Sequence, residues 1–354
     1  MNASEAAALA AWLAPRLDPP GGDGAAVLVS DVEPLSTGFS AETISFRATR
    51  PSGGAEARRL ILRRESPDPA VYPQQAPGFD VEVDIQYRVM AALSAHSPVP
   101  LAPLVGYESD PSVLGAPFFV MGFVEGQVPL VTPSYAESGF FAEAAPTDRR
   151  SMIESGIGVL ASLHAVDWRR AGLDWLLGGG TDTSAERQLR IWRSYAEREL
   201  GGREHPLLDR AFAWLETRSP ATGPPTLNWG DPRPGNMIWR EFRCVCVTDF
   251  EAASIAPAEV DLGWWLMFDR WSHESAGVPR PEGEPTREEQ ADLYRRLSGR
   301  EVADLHWYEV FAALRYCAIV VRVMNRTVER GLMPADNSVW LENQATVCLE
   351  ELLG

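Results

Sequence analysis

The sequence contains little of what defines several other classes of protein. Only 4 of its 354 residues are cysteines, which is too few for a disulfide framework in a chain of this length. No apolar run reaches the roughly 18 residues that a membrane-spanning helix requires. The N-terminal stretch 1–17 is rich in alanine and leucine but lacks the basic segment of a secretory signal. These absences predict a protein of the reducing cytoplasm with no membrane partner.

Positive charge is also scarce. The 49 acidic residues outnumber the 32 basic ones, which gives a formal net charge of −17 at pH 7. Nucleic acids and anionic membranes bind basic surfaces, so this charge predicts neither as a partner. The excess carboxylates fit a solvated surface that maintains solubility, and an acidic groove for cationic substrates is the alternative. The composition leaves open whether the chain is a monomer or a homodimer.

Two polar segments flank a short predicted β-hairpin. Residues 228–236 read Asn-Trp-Gly-Asp-Pro-Arg-Pro-Gly-Asn, and residues 249–251 read Asp-Phe-Glu. Between them, the apolar runs 237–239 and 244–247 predict two buried antiparallel strands joined by a tight turn. The open end of a hairpin brings its two flanks together, so the spacing predicts one polar site built from both segments.

The polar groups of this site suit phosphate chemistry. Asn236 enters the first strand and Asp249 leaves the second, which predicts side chains roughly 5 Å apart. Two oxygen donors at this spacing can hold Mg²⁺, which completes its shell with water and phosphate oxygens. Asp231 lies on the Gly/Pro-rich loop before Asn236, where it can accept a proton from a substrate hydroxyl. An ordinary surface turn with the same residue types is the alternative.

At these residues the chain resembles the aminoglycoside phosphotransferase family, a group of small-molecule kinases. The family pattern is His-Gly-Asp, four residues, Asn, and then a strand that ends in Asp-x-Glu or Asp-x-Asp. Here Trp229 stands where the family usually has His, as in a bacterial branch that reads Trp-Gly-Asp-x-Arg-x-Gly-Asn. The resemblance implies that Asp231 is the catalytic base and that Asn236 and Asp249 bind Mg²⁺. It also implies that Arg233 supports the site and that ATP is the phosphoryl donor, with GTP left open.

The resemblance also implies the fold. Family members share the two-lobed protein-kinase fold, which is α+β, with a small antiparallel-sheet N-lobe and a larger, mainly helical C-lobe. Residues 1–124, with a leading helix, are expected to form the nucleotide-binding lobe. Residues 125–354 are expected to form the helical lobe with the catalytic loop and the acceptor pocket. The sequence shows no internal repeat that would argue for another organisation.

The resemblance assigns two segments of the first lobe to the nucleotide. A Ser-x-Gly-x-Ser turn at Ser36, Gly38 and Ser40 has small side chains and amides that can fold over phosphates. The apolar strand further along resembles the inter-lobe hinge, so backbone groups near Met121 and Phe123 are expected to meet the edge of the adenine. A common Gly/Ser hairpin turn and a common core strand are the alternatives for these segments.

A basic residue on the predicted strand 59–64 completes the expected nucleotide site. Arg63 resembles the cation that holds the α- and β-phosphates, and a guanidinium can bind phosphate oxygens in pairs. The helix predicted at 81–93 usually donates a Glu to this cation, but the position here reads Gln86. A neutral amide can hydrogen-bond Arg63 without neutralising it, so the positioning salt bridge is expected either to be weakened or to be supplied by Glu82, one turn earlier.

The second lobe is predicted to be helical. Apolar residues recur at helical spacing in the segments 147–168, 187–200, 207–218, 257–271, 286–297, 302–330 and 338–353. The fourth of these is apolar almost all round and contains Asp261, which the resemblance makes a brace for the catalytic loop. In the sixth, Tyr308, Arg315 and Asn325 are candidates for the wall of the acceptor pocket, and core packing explains them equally well.

These observations predict an ATP- and Mg²⁺-dependent O-phosphotransferase that acts on a hydroxyl group of a small molecule. The related branch includes kinases of hydroxyacyl-CoA thioesters, which resemble this chain in the phrase Leu-His-Ala-Val-Asp-Trp at 163–168. A hydroxyacyl-CoA kinase is therefore the second hypothesis. Gln86 motivates a third, from another class: a nucleotide-binding pseudokinase that serves as a regulatory module.

Overall fold

The computed structural model describes residues 1–17, 26–36, 41–50, 57–130, 133–220 and 223–354. The chain divides into two units. The first comprises Met1–Ala70, Phe79–Ala91 and Leu101–Glu125, and the second comprises Val71–Gly78, Ala92–Pro100 and Gly126–Gly354. Gly38 and Ser40 of the predicted nucleotide turn lie outside the described residues.

The first unit is built on an antiparallel sheet. Its strands are β1 (Leu28–Ser36), β2 (Glu42–Thr49), β3 (Arg58–Arg64), β4 (Leu104–Glu108) and β5 (Phe118–Gly122). They pair in the order β1-β2-β3-β5-β4. Helix α1 (Ala3–Leu13) precedes the sheet, and helix α2 (Glu82–His96) follows β3. The strands predicted at 44–48 and 59–64 and the helix predicted at 81–93 are confirmed.

One face of this sheet forms the apolar core of the first unit. Side chains alternate between faces along a strand, so Ile44 and Phe46 of β2 lie on the same face and are buried together with Leu62 of β3. Helix α1 packs on them through Leu9. Because Arg63 is the neighbour of Leu62 on β3, its side chain leaves the sheet on the opposite face, away from this core.

The second unit is mainly helical. Its helices are α3 (Pro146–His164), α4 (Ala185–Leu200), α5 (Pro206–Glu216), α6 (Glu259–Ser272), α7 (Arg287–Ser298), α8 (Leu305–Glu329) and α9 (Gln344–Leu353). Its strands form two antiparallel pairs: β6 (Pro225–Asn228) with β9 (Ser254–Pro257), and β7 (Met237–Arg240) with β8 (Arg243–Val247). The predicted helices are confirmed. Among the described helices, none combines the length and the apolar character that crossing a bilayer requires.

Helices α6 and α8 form the centre of the second unit. As predicted, α6 is buried almost all round. The two helices pack closely because Gly263 of α6 has no side chain where it meets Tyr308 of α8. A Cβ atom at Gly263 would lie 2.6 Å from Cβ of Tyr308 and 2.7 Å from its backbone carbonyl carbon. Helix α8 also reaches the loop that follows β6, where Arg315 donates a hydrogen bond to the Gly230 carbonyl at 2.7 Å.

Gly263→Ala is therefore expected to lower the free energy of unfolding by about 1–3 kcal/mol, because α8 must shift to admit the methyl group. Gly158→Ala, within α3, is the matched control. Its new Cβ would meet only Leu297 Cδ1, at 3.9 Å, and alanine favours a helix over glycine by about 0.8–1 kcal/mol. Urea denaturation of both variants measures the effects, and equal shifts in the two would contradict the packing explanation.

The predicted hairpin of β7 and β8 is confirmed. Its two-residue turn places Glu241 and Phe242 at φ angles of 50° and 57°. This is the type I′ geometry that suits the twist of paired strands and that Asn-Gly usually supplies. Neither residue is glycine, but the Phe242 ring lies 6.1 Å from the ring of Phe140. Tertiary packing therefore supports a turn that its own sequence does not favour.

Candidate active site

Asp231 lies at the centre of a dense set of hydrogen bonds in the second unit. The residue is only 5% exposed. Its Oδ2 atom accepts hydrogen bonds from Asn236 Nδ2 at 2.6 Å and from the Tyr72 hydroxyl at 3.0 Å. Its Oδ1 atom accepts one from the Trp264 indole at 2.7 Å, and Arg233 Nε lies 3.1 Å from both oxygens. These hydrogen bonds fix the orientation of the carboxylate.

The backbone before Asp231 is held by a second buried carboxylate, that of Asp261 in α6. Its Oδ2 accepts a hydrogen bond from the Trp229 amide at 2.6 Å, and its Oδ1 accepts one from the Gly230 amide at 2.9 Å. Asp261 Oδ2 also lies 3.2 Å from Nε2 of His164. Asp261 thus holds the backbone of the two residues that directly precede Asp231.

Gly230 makes this loop conformation available. Its φ angle is +95°, in the region that favours glycine. A Cβ atom at this position would lie 2.2 Å from the carbonyl oxygen of Ala252. The glycine of the motif is therefore required by backbone conformation and by space together.

Trp229, which replaces the usual histidine, has a structural role in this geometry. Its indole nitrogen donates to the backbone carbonyls of Thr248 at 2.8 Å and Asp249 at 3.0 Å. The ring is fully buried and has no basic nitrogen with which to accept a proton. These hydrogen bonds join the loop that carries Asp231 to the segment that carries Asp249.

The two predicted metal ligands lie on neighbouring ends of the hairpin. The Thr248 amide and hydroxyl both donate to the Asn236 carbonyl at 3.0 Å, so Asp249 follows the residue directly across from Asn236. The side-chain nitrogen of Asn236 donates to Asp231, which leaves its side-chain oxygen as the atom that suits a cation. An amide oxygen and a carboxylate are the hard donors that Mg²⁺ prefers, so these residues fit the metal that the resemblance implies.

Two partners of Asp231 were not predicted from the sequence. Tyr72 is separated from it by 159 positions and lies in a segment without periodicity, so no sequence pattern indicates the contact. Trp264 follows Asp261 by three residues, which places both on one face of α6, and this spacing could have revealed it. Burial and the Asp231 carboxylate raise the pKa of Tyr72, so its hydroxyl stays a donor.

The candidates for an acceptor-pocket wall on α8 have other surroundings. Tyr308 is buried at the contact with α6, and the Asn325 side chain bonds to Arg203 at 2.7 Å and to the Glu199 carbonyl at 2.8 Å. Arg315 is buried and donates to the Gly230 carbonyl at 2.7 Å. Packing explains the first two residues, while Arg315 contacts the backbone of the loop that carries Asp231.

In the first unit, the residues around the predicted phosphate cation are buried. Arg63, Glu82 and Gln86 are each less than 9% exposed. A carboxylate that sequence reasoning missed lies beside them: Glu65 accepts hydrogen bonds from the amides of Val83 at 2.9 Å and Glu82 at 3.3 Å. Burial raises the pKa of Glu65, although these amides act in the opposite direction. Glu65 therefore anchors the start of α2 to the end of β3.

The predicted hinge residues lie at the end of β5, and the first residue of the predicted nucleotide turn lies at the end of β1. Met121 lies in β5, and Phe123 directly follows this strand. The Phe123 amide donates to the Arg59 carbonyl at 3.1 Å, so this N–H group is already used within the unit. Ser36 ends β1, where it pairs with Thr43.

A family model described as the phosphotransferase enzyme family matches residues 31–306, which include the segment 228–236 and Asp261. The chain belongs to this family. Its members are small-molecule phosphotransferases, so the predicted family and the predicted class of enzyme, a small-molecule kinase, are confirmed.

The chain is similar both to curated proteins with acyl-CoA dehydrogenase names and to solved structures of phosphotransferases. A protein of Arabidopsis thaliana that carries an acyl-CoA dehydrogenase name is 26% identical over 322 residues, which are 85% of this chain and 37% of that protein. The chain thus spans well under half of this curated relative.

Among solved structures, one assigned as an aminoglycoside phosphotransferase from Ralstonia eutropha has a TM-score of 0.69 at 23% identity, and the match covers 98% of this chain and 94% of that one. A ternary complex of an aminoglycoside phosphotransferase with streptomycin and ATP has a TM-score of 0.54 at 12% identity, with coverage of 83% and 86%. The predicted α+β, protein-kinase-like fold is confirmed.

Proposed function

We propose that the chain transfers the γ-phosphoryl group of ATP to a hydroxyl group of a small molecule, with Asp231 as the base. The observation that carries the proposal is the hydrogen bond from the Tyr72 hydroxyl to Asp231. It shows this carboxylate accepting a bond from a hydroxyl group, which is the contact that an acceptor must make before it loses its proton. Arg233 and Asp261 support this geometry from the side chain and from the backbone.

Asn236 and Asp249 would hold Mg²⁺. The ion would neutralise charge on the phosphoryl group during transfer. The pairing of the Asn236 amide nitrogen with Asp231 supports this assignment, because it directs the amide oxygen elsewhere. The same bond links the base to a metal ligand, so both groups would be oriented together.

Residues 1–124 would form the nucleotide-binding lobe and residues 125–354 the catalytic and acceptor lobe. In the first, Arg63 would hold the phosphates with Gln86 as its helix partner. The turn at Ser36, Gly38 and Ser40 would cover the phosphates, and the backbone near Met121 and Phe123 would meet the adenine, with the carbonyl oxygen as the available backbone group of Phe123. The likeness to a structure that contains ATP supports this choice of donor.

A hydroxyacyl-CoA is the second candidate for the acceptor. The observation that favours it is the acyl-CoA dehydrogenase name of the curated relative and the fact that the chain covers only 37% of that protein. A phosphotransferase unit joined to a dehydrogenase would act on a thioester related to the dehydrogenase substrate.

The test is an acceptor screen with purified protein, Mg²⁺ and either ATP or GTP. The acceptors are amino sugars, choline-like alcohols and hydroxyacyl-CoA thioesters, and phosphorylated product is detected by mass spectrometry. Turnover of one class with a hydroxyl-linked phosphate supports the proposal and identifies the acceptor. Tight nucleotide binding without any phosphorylated product would instead favour the regulatory module.

Asn236→Ala and Asp249→Asn are each expected to raise the Mg²⁺ concentration for half-maximal activity by about tenfold or more, since loss of groups around a metal typically costs 10–100-fold in affinity. Nucleotide binding measured without Mg²⁺ should change little. Asp182→Asn is the matched control, because it removes an exposed carboxylate that pairs with Arg190 and that lies outside the two segments of the proposed metal site. An unchanged Mg²⁺ requirement in both ligand variants would remove these residues from the metal site.

A further inference from the structure

Helix α8 carries a buried cation that the proposed reaction does not use. Arg315 is 3% exposed, and its Nη2 atom donates to the Gly230 carbonyl at 2.7 Å. Its Nε and Nη1 atoms are buried and have no hydrogen-bond partner among the described residues. A buried charge with so few hydrogen bonds is costly to maintain, so packing alone does not account for this side chain.

Aromatic rings take the place of the missing hydrogen bonds. The guanidinium carbon lies 4.3 Å from the ring centre of Trp264, 4.9 Å from that of Trp192 and 5.7 Å from that of Phe311. Such contacts are favourable because the face of an aromatic ring is negative. Trp264 is also the residue whose indole donates to Asp231. A cation over its ring draws electron density away from the N–H group and strengthens it as a donor.

Arg315 is thus connected to Asp231 by two routes. One runs through the Gly230 carbonyl, which belongs to the peptide group immediately before Asp231. The other runs through the Trp264 indole. Burial lowers the pKa of Arg315 to about 10, while the carboxylates of Asp261 and Asp231 act in the opposite direction, so the guanidinium is charged at neutral pH.

We propose that Arg315 is a positioning residue for Asp231. Its fixed positive charge holds the Gly230 carbonyl and the Trp264 indole in the arrangement that orients the Asp231 carboxylate. The consequence for turnover depends on the proposed function, in which Asp231 is the base. The link from Arg315 through Trp264 to Asp231 does not depend on it, and the two are tested separately.

The link is tested by the ¹⁵N–¹H resonance of the Trp264 indole, assigned with Trp264→Phe. Arg315→Met is expected to shift this resonance upfield and to speed its exchange with solvent, because the N–H group becomes a weaker donor. Arg322→Met is the matched control, since Arg322 is also buried in α8 and lies 3.6 Å from Glu199, away from the loop. It should leave the resonance in place even where it lowers stability.

Turnover is measured with ATP, Mg²⁺ and the acceptor that the screen identifies. Arg315→Met should lower kcat about 10–100-fold with KM for ATP within about twofold, because the lost interaction orients the base and does not bind nucleotide. Arg315→Lys should retain activity at neutral pH and lose it towards alkaline pH, because lysine has a lower pKa than arginine and burial at this position lowers it further. The wild type keeps its charge there.

The proposal is overturned by an unshifted indole resonance and a kcat within about twofold of wild type in folded Arg315→Met protein. It is equally overturned if Arg315→Lys follows the wild-type pH profile. Should Arg315→Met fail to fold, the resonance and the pH profile of Arg315→Lys decide. Absence of turnover with every acceptor of the screen would count against the proposed function, and the indole resonance would then decide the link by itself.

Discussion

Asp231→Asn is expected to lower turnover about 10²–10⁴-fold while the affinity for nucleotide changes little. The amide cannot accept the proton of the substrate hydroxyl. The substitution also turns one acceptor oxygen of residue 231 into a donor nitrogen. This nitrogen would face groups that themselves donate hydrogen bonds, namely Tyr72, Arg233, Asn236 and Trp264. Steady-state kinetics with the acceptor found in the screen, together with calorimetric titration of ATP, measure the two quantities.

Asp269→Asn is the control for this substitution. Asp269 is also a buried carboxylate of the second unit, but its partners are Arg280 and Gln290, which lie outside the catalytic loop. The control is expected to lose stability without a comparable loss of kcat. Wild-type kcat in Asp231→Asn would show that another group accepts the proton.

Asp261→Ala is expected to lower the free energy of unfolding by about 3–5 kcal/mol, because the change leaves buried polar partners without their charge. Its carboxylate is fully buried and accepts from the amides of Trp229 and Gly230, and His164 lies within hydrogen-bond distance. Loss of these bonds also frees the backbone that presents Asp231, so turnover should fall in protein that is still folded. Urea denaturation gives the stability, and kinetics below the transition give kcat.

Asp261→Asn and Asp209→Ala bracket this expectation. The asparagine keeps one acceptor oxygen and should lose less stability than the alanine variant. Asp209 is exposed near the start of α5, and its removal should change stability by no more than about 0.5 kcal/mol. A destabilisation of Asp261→Ala as small as that of Asp209→Ala would refute the role of this carboxylate as a brace.

The parts of the fold and the site that the sequence predicts are those encoded within short segments. The hairpin of β7 and β8 follows from two apolar runs with a turn between them. The burial of α6 follows from a helical segment that is apolar on nearly all faces. Asp231, Asn236 and Asp249 come from one motif of fixed spacing, and the structure brings the first two into direct contact. Local sequence patterns are sufficient to predict a contact when the residues that make it are close together along the chain.

The contacts that the sequence could not predict join residues far apart along the chain. Tyr72 and Asp231 are 159 positions apart, and Arg315 and Gly230 are 85 positions apart. Neither partner in these pairs carries a pattern that points to the other. Arg315 lies in a helix whose stripe fits core packing and a pocket wall equally well, and only the arrangement of α8 against the catalytic loop decides its surroundings. Such contacts follow from the fold rather than from any segment.

The turn between β7 and β8 contains no glycine, although both of its residues have left-handed backbone conformations. Left-handed backbone at Glu241 and Phe242 costs roughly 1–2 kcal/mol for each residue, and the ring contact with Phe140 offsets only part of this. An Asn-Gly turn would adopt this conformation at a lower cost, but the hairpin would lose the contact between the rings of Phe242 and Phe140. The strained turn packs against Phe140 at one end of β7 and β8, so its conformational cost lies a strand's length away from the proposed magnesium ligands Asn236 and Asp249.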